Sequence, residues 1–277
     1  MADQHATGVP PNPAEMYDAH MVPAMFGPWA DVLIDRITPI AGEHFLDVAC
    51  GTGAVTFKLA ERVGPDGTVT GSDINPGMIA VGRRKSEAAS MPIAWHVADA
   101  VSLPQRPGGY DGITCQQGVQ FFPDSVAGLT AMHDALRPGG RLGLAIWYPV
   151  EHQTLFNAFK DAGDRHFGDL PGASAPFSYG GEDRLRLELD RAGFRDLTID
   201  KVTCEVRFPD AGRFMAMSVR SIAAVVPALG QLPADELNAL FRTLEKELAP
   251  EAARYRDGDA IRFSLTSHIV VAHRPAL

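Results

Sequence analysis

The chain has 277 residues, 45% of them hydrophobic, and its 34 acidic against 25 basic side chains leave a formal net charge of −9. That balance excludes the usual nucleic-acid binder, which draws most of its affinity from Lys and Arg on phosphates. No apolar run reaches membrane length, no secretory leader is evident, and Cys50, Cys115 and Cys204 lack metal-ligand spacing, so a reducing cytoplasm is the expected setting.

The first residues, MADQHATGVPPNPA, are Pro-rich and polar and read as a flexible tail over 1–14. AEMYDAHMVPAMFGPWADVLIDRI then predicts two short amphipathic helices broken at Pro23 and Pro28, placed to cover the carboxyl edge of a sheet. In this segment His20 points to a substrate, while packing of Tyr17, Met21, Phe26 and Trp29 is the plain alternative.

HFLDVA predicts a strand, a turn containing Ala49, Gly51 and Gly53 follows, and AVTFKLAERV predicts a helix with Val55, Leu59 and Val63 on one face. Glycines admit positive φ and let a ligand lie on the main chain beside the unpaired N–H groups of the helix N-terminus. A dinucleotide fingerprint starting at Gly51 fails at its third glycine, which is Thr56, and Asp47 ahead of the turn would repel a pyrophosphate. No Gly-Lys-Ser/Thr follows, so the turn is not a P-loop either.

The second strand, GTVTGSD, ends in Asp73, where a carboxylate can accept both hydroxyls of a ribose. Capping the helix NPGMIAVGRRK is the alternative, a role for which Asn75 and Pro76 are also suited. IAWHVADAVSLP ends a strand at Asp99 and Ala100, and YDGITCQQGVQFFPD ends one at Gln116 and Gln117. ALRPGGRLGLAIW reads as a helix stopped by Pro138 and Gly139 and then a fifth strand. An insertion over about 150–181 starts with a helix and ends in a loop rich in Gly, Pro and Ser; a further one, over about 209–257, is helical in period. Between them lie the helix EDRLRLELDRAGF and the strand DLTIDKVTCEVRF, and IRFSLTSHIVVAHR is the last strand. The marked residues all sit at carboxyl strand ends, where an open doubly wound sheet binds ligands.

DVACGTG, GSDINPGMI, VADAVSLP and LRPGGRL together resemble the class I S-adenosylmethionine-dependent methyltransferases over about residues 40–150, in their UbiE-like small-molecule branch. DVACGTG carries Ala49 in place of the first glycine of the family motif. The resemblance implies an α/β fold: a Rossmann-like, doubly wound, mostly parallel sheet of seven strands, the last antiparallel. It implies a single domain over 15–277, with lid insertions over about 15–38, 150–181 and 209–257. It also implies S-adenosyl-L-methionine as cofactor. Ala49, Gly51 and Gly53, with Thr52, then face its methionine part, Asp73 the ribose, Ile74 and Met78 the adenine faces, and Asp99 with Ala100 the adenine edge. Gln116, with Gln117 beside it, approaches the methionine end, Tyr17 reaches in from the lid, and Asp47 orients the loop or the cofactor amine.

The implied reaction is methyl transfer to an O, N or C atom of a secondary metabolite, quinone or lipid-like small molecule. The alternative is a protein of the same fold that uses the sulfonium as a fixed charge for a rearrangement. A base is required only for an acceptor that is not already nucleophilic; His152, past the fifth strand, and His20 are the candidates, against a structural or exposed role for each. His44, His96 and His133 read as packing or solvent-facing. Catechol-methylating relatives hold a divalent cation with carboxylates near the fourth strand end, whereas TCQQGVQFF offers amides, poor ligands for a hard cation, so no metal is expected.

Overall fold

The structure, a computed structural model, describes residues 12–167, 175–225 and 229–276. Most of the expected tail, 1–11, and part of the Gly/Pro/Ser loop, 168–174, fall outside the described residues.

Five strands run parallel: β1 (His44–Val48), β2 (Thr68–Asp73), β3 (Ile93–Val97), β4 (Tyr110–Gln116) and β5 (Leu136–Trp147). With β6 (Arg195–Phe208), β7 (Arg256–Asp257) and β8 (Ala260–His273) the sheet order is β3-β2-β1-β4-β5-β8-β6, and the short β7 pairs with β8. β8 is antiparallel to both β5 and β6. The sheet therefore has the expected mostly parallel architecture, with an eighth strand of two residues contributed by a hairpin. Strand order reverses between β1 and β4, which opens a crevice at their carboxyl ends.

Two apolar layers hold the sheet. Phe45 packs with Trp29, Leu33 and Leu59 on one face, and Leu46 and Val48 pack with Leu129, Leu142 and Leu189 on the other. On the first face α6 (Thr154–Phe167), α8 (Ala211–Val225) and α9 (Ala234–Ala253) extend the core. There Phe214 meets Phe159, Phe208 and Phe263 at ring distances of 6.3, 5.5 and 5.1 Å. Most aromatics of the insertions are thus core rather than ligand surface.

The segment before β1 differs from the two broken helices expected there. α1 (Pro13–Met16) starts on the side chain of Asn12, passes into a π-helix (Tyr17–Phe26), and continues as α2 (Gly27–Ile37). Pro23 lies within the π stretch, and Gly27 N–H donates to Val22 O, five residues back. The wider turn accommodates the missing N–H of Pro23, and Pro28 falls at the junction where the π stretch passes into α2.

Two other boundaries shift. α5 (Ser125–Ala135) stops before Pro138 and Gly139, because Leu136 is already extended and pairs with Tyr110. The Arg274 guanidinium donates to His133 O, Asp134 O and Leu136 O, satisfying carbonyls that the helix end leaves open. β3 ends at Val97, so Asp99 stands in the turn beyond it and accepts Val101 N–H at 3.0 Å.

Candidate active site

α3 (Ala54–Val63) and α4 (Pro76–Ala88) start at the carboxyl ends of β1 and β2, and the turn before α3 is held in an unusual shape. Ala49, Gly51 and Gly53 take φ of 53°, 56° and 96°. At Gly53 a Cβ would lie 2.7 Å from the Trp95 ring and 2.9 Å from the Phe57 ring, so both space and φ require glycine.

Beneath the turn, Asp47 is 1% exposed. Its carboxylate accepts the Thr56 hydroxyl at 2.6 Å and the Thr114 hydroxyl at 2.8 Å, tying β1 to α3 and β4. Burial pushes its pKa up to about 7 against those two hydrogen bonds, with Asp73 adding in the same direction. Asp47 is therefore a strut under the loop. Thr56 and Thr114 were not expected in this role; the signal was Thr56 itself, a hydroxyl where the dinucleotide pattern wants glycine.

Asp73 closes the other side of the turn. One carboxylate oxygen accepts Gly51 N–H and the other Asn75 N–H, both at 2.8 Å. The cap of α4 is Asn75, whose side chain accepts Gly77 N–H at 2.8 Å, so Asp73 is not needed for that role. Ile74 beside it is 68% exposed, and Val97 and Val101 are each more than half exposed. Met78 and Ala100 are half-buried and Asp99 is exposed. Apolar surface thus lies uncovered around a carboxylate; the two valines sit in the quoted motif but were not singled out from the sequence.

The π-helix roofs the turn. The Tyr17 hydroxyl would lie 3.8 Å from a Cβ on Gly51, and its ring packs on Phe26 at 5.0 Å. Burial, then Asp73 and Asp18, raise the Tyr17 pKa far above its ordinary value, so it stays a neutral donor. Asp18 accepts the Thr52 hydroxyl and the Lys85 ammonium, each at 2.6 Å, and Lys85 also donates to Thr52 O at 3.2 Å. Thr52 therefore joins the turn to its roof. Tyr17, Phe26, Asp47, Ala49 and Gln116 border a cavity of only about 20 Å³. Gln116 donates its amide N–H to Phe26 O at 2.9 Å, while its buried Oε1 has no partner among the described residues. Gln117 is bonded instead to Ser267 and Gln120, at 2.9 and 3.3 Å, so both ends of its amide are used inside the protein rather than at the turn.

The ubiE/COQ5 methyltransferase family model matches residues 15–162, more than half of the chain. The chain belongs to this family. S-adenosylmethionine is accordingly its cofactor, and the fold is that of class I methyltransferases. Among curated relatives, it is 39% identical over 132 residues to the nocamycin O-methyltransferase of Saccharothrix syringae, covering 47% of each chain. It is 33% identical over 143 residues to the demethylmenaquinone methyltransferase of Lactococcus lactis, covering 51% of this chain and 55% of the relative. An aklanonic acid methyltransferase of a Streptomyces strain is 38% identical over 118 residues, 42% of this chain and 54% of that one. The chain spans about half the length of the curated relatives it matches. In fold it resembles the YcgJ protein of Bacillus subtilis, with a TM-score of 0.60 at 14% identity over 90% of this chain and 98% of that one. It also resembles the [4+2]-cyclase SpnF, with a TM-score of 0.59 at 19% identity over 91% and 81%.

The family's cofactor fits the residues present. The orphan Oε1 of Gln116 is an acceptor suited to an ammonium, the Asp73 carboxylate retains lone pairs for hydroxyls, and exposed Ile74 with Val101 offers an apolar face for a purine. The small cavity means that Tyr17 and Phe26 must move for a methionine tail to enter.

The two candidate histidines are not brought together. His152 ends an exposed 3₁₀ turn, its ring edge-on to Tyr148 at 5.0 Å, and borders neither cavity described here. His20 faces a larger cleft on the next flank of the π-helix, where its Nε2 accepts Arg213 at 3.0 Å. Burial, then Arg213, lower its pKa, with Asp210 opposing. A third histidine, His268, emerges only from the structure: it is 2% exposed in β8 and packs on Tyr148 at 4.5 Å. Among the described residues no group of three His, Cys, Asp or Glu is arranged to hold a metal ion.

Proposed function

We propose that this chain transfers a methyl group from S-adenosylmethionine to an O, N or C atom of a small organic acceptor: a quinone, a secondary metabolite or a lipid-like compound. The observation that carries this reading is the glycine turn clamped by Asp73 beneath the Tyr17 roof, in a chain of the ubiE/COQ5 family. The names of the relatives, which refer to nocamycin, demethylmenaquinone and aklanonic acid, support the acceptor classes. The same-fold alternative, a rearrangement around a fixed sulfonium, has no such support among the named curated relatives. When bound, the cofactor supplies an electrophilic methyl group on a positively charged sulfur.

The chain's own part is positioning. Gln116 and the turn hold the amino acid end, Asp73 the ribose, and Ile74, Met78, Asp99 and Ala100 surround the adenine. Tyr17 and Phe26 close over them and exclude water, which strengthens each polar contact and keeps donor and acceptor aligned. We further assign one domain over 15–277, a cytoplasmic setting and no nucleic-acid partner, the last from the net charge of −9. No helix among the described residues is long and apolar enough to cross a membrane. Incubation of the purified protein with methyl-labelled donor and a panel of hydroquinones and phenols tests the reaction: label in product is expected, and donor binding without transfer to any acceptor would favour the rearrangement.

Turnover is expected to be indifferent to EDTA, since Gln116 and Gln117 stand at the β4 end where a hard cation would want carboxylates. Loss of activity in chelator, restored by magnesium, would contradict this.

The histidine variants are expected to be mild. His152 is exposed outside both cavities and the Nε2 of His20 is engaged by Arg213, so single-turnover rates of His152→Ala and His20→Ala should stay within about threefold of wild type. A general base contributes about 10²–10⁴. A drop of that size confined to one variant, with loss of its pH limb, would identify that histidine as the base after all.

A further inference from the structure

The larger cleft, about 290 Å³, lies between the π-helix and the corner where β6 meets α8. Its apolar wall is Pro23, Ala24 and Phe208, whose ring is buried and stands 6.5 Å from that of His20. Its polar wall is unbalanced in charge. Two guanidiniums, Arg207 and Arg213, face one carboxylate, Asp210, in a chain whose net charge is −9.

That carboxylate is already occupied. One oxygen of Asp210 caps α8 by accepting Arg213 N–H at 2.9 Å, and the other stands 3.8 Å from Arg213 Nε, beyond hydrogen-bond reach. Arg207 approaches Asp257 at 3.4 Å, on an oxygen that Arg262 holds at 3.0 Å. Arg213 itself donates to His20 Nε2, which leaves most of its five N–H groups without an acceptor among the described residues. The imidazole that accepts from it adds no positive charge, since its pKa lies below the ordinary value.

We propose that this cleft binds a small aromatic carboxylate on the Arg213 fork, with the ligand's ring laid against Pro23 beside Phe208. The planar guanidinium matches a carboxylate in a two-point contact that an ammonium could not make. The volume is at the low end of small-ligand sites, roughly 300–1,000 Å³, which suits a single substituted ring. The π-helix that forms one wall also carries Tyr17 and Phe26 over the glycine turn, so a ligand here would sit on the flank of the element that roofs the turn.

Benzoate and its neutral isostere benzamide are the probes, titrated into the full chain while the His20 ring protons are followed by NMR. Benzoate is expected to bind in the millimolar range and to shift the His20 ring protons in a saturable way, because its carboxylate meets Arg213 beside that ring. Benzamide, and benzoate with Arg213→Gln, are expected to bind at least tenfold more weakly, and Arg207→Gln to cause a smaller loss. Calorimetry with S-adenosylmethionine, run on each variant, should give wild-type affinity and so reports folding. Equal binding of the two probes, or benzoate affinity unchanged in Arg213→Gln, would overturn the proposal. Failure of wild type to bind S-adenosylmethionine would instead count against the methyl-transfer reading and leave the probe result standing on its own.

Discussion

Asp73→Ala is expected to weaken S-adenosylmethionine binding by about 10- to 150-fold, the effect of losing about 1.5–3 kcal/mol of charged hydrogen bonds. The residue acts twice. Its carboxylate accepts Gly51 N–H and Asn75 N–H, which fixes the turn against the start of α4, and in the site proposed above its remaining lone pairs accept the ribose hydroxyls. Truncation removes both functions, while Asn75 still caps α4 and the strand is still paired with its neighbours on both sides. The fold should therefore survive. Calorimetry of wild type and variant with the cofactor and with its demethylated product measures the loss, and a melting curve without ligand separates binding from stability. Unchanged affinity would remove Asp73 from the cofactor site and leave it as a clamp for the turn.

The second large effect is on stability and has an unusual sign. Asp47 is buried with its pKa raised to about 7, against about 3.9 in an unfolded chain. Between those values the folded state holds a proton that the unfolded state has released, so the stability this group contributes is complete below about pH 4 and is lost as pH rises through 7. The size is on the order of a few kcal/mol. Glu43 acts in a different window: burial alone would raise its pKa, but hydrogen bonds from Arg141 and Ile40 N–H, with the Arg141 charge, lower it. Its contribution is present above the ordinary carboxylate range and is lost on acidification, below the range where Asp47 acts. Urea unfolding at pH 5 and pH 7.5 should show wild type losing stability relative to Asp47→Asn as pH rises, because an amide can bond both threonine hydroxyls without a charge, while His20 and His268, whose lowered pKa values act in the opposite direction, contribute equally to both proteins. Equal pH slopes for the two proteins would show that Asp47 is ionised in the fold.

Cofactor binding should counter part of that loss. The loop above Asp47 is held from below by Thr56 and Thr114 and from above by Thr52 with Asp18 and Lys85. A ligand that binds only the folded form adds stability by mass action, so the pH dependence is to be measured without it.

Much of the sheet was legible along the chain because its signals are local. The run HFLDV has no competing helical period, Gly51 and Gly53 mark a turn that needs positive φ, and Asn75-Pro76 announces the start of α4. These features depend on backbone sterics and near neighbours, so the sequence alone determined the central parallel strands and the turn at the carboxyl end of β1. Where a distant group decides, the reading went astray. The end of α5 is set by Leu136 pairing with Tyr110 across the sheet, and Arg274, more than a hundred residues away, takes the carbonyls left there. The helix through Pro23 survives because a π turn, supported by packing on β6 and the glycine turn, accommodates a residue that breaks an α-helix.

The same division runs through the site. Asp73 and the glycines were marked by spacing, whereas the partners of Asp47 were not, since Thr114 lies 67 residues on and reaches it only across paired strands. Nothing in the local pattern distinguishes Gln116, whose amide faces the roof, from Gln117, bonded to Ser267; β4 ends at Gln116 and the chain turns at Gln117 with φ 54°, a turn that no neighbouring residue announces. His20 and Arg213 lie 193 residues apart, and their meeting follows from the π-helix packing beside the β6–α8 corner. The sequence by itself determined the fold family and the glycine turn after β1, because those are fixed by short-range backbone geometry. Tertiary structure alone decided which polar groups are buried, paired or left open, because that depends on which distant surfaces fold against them.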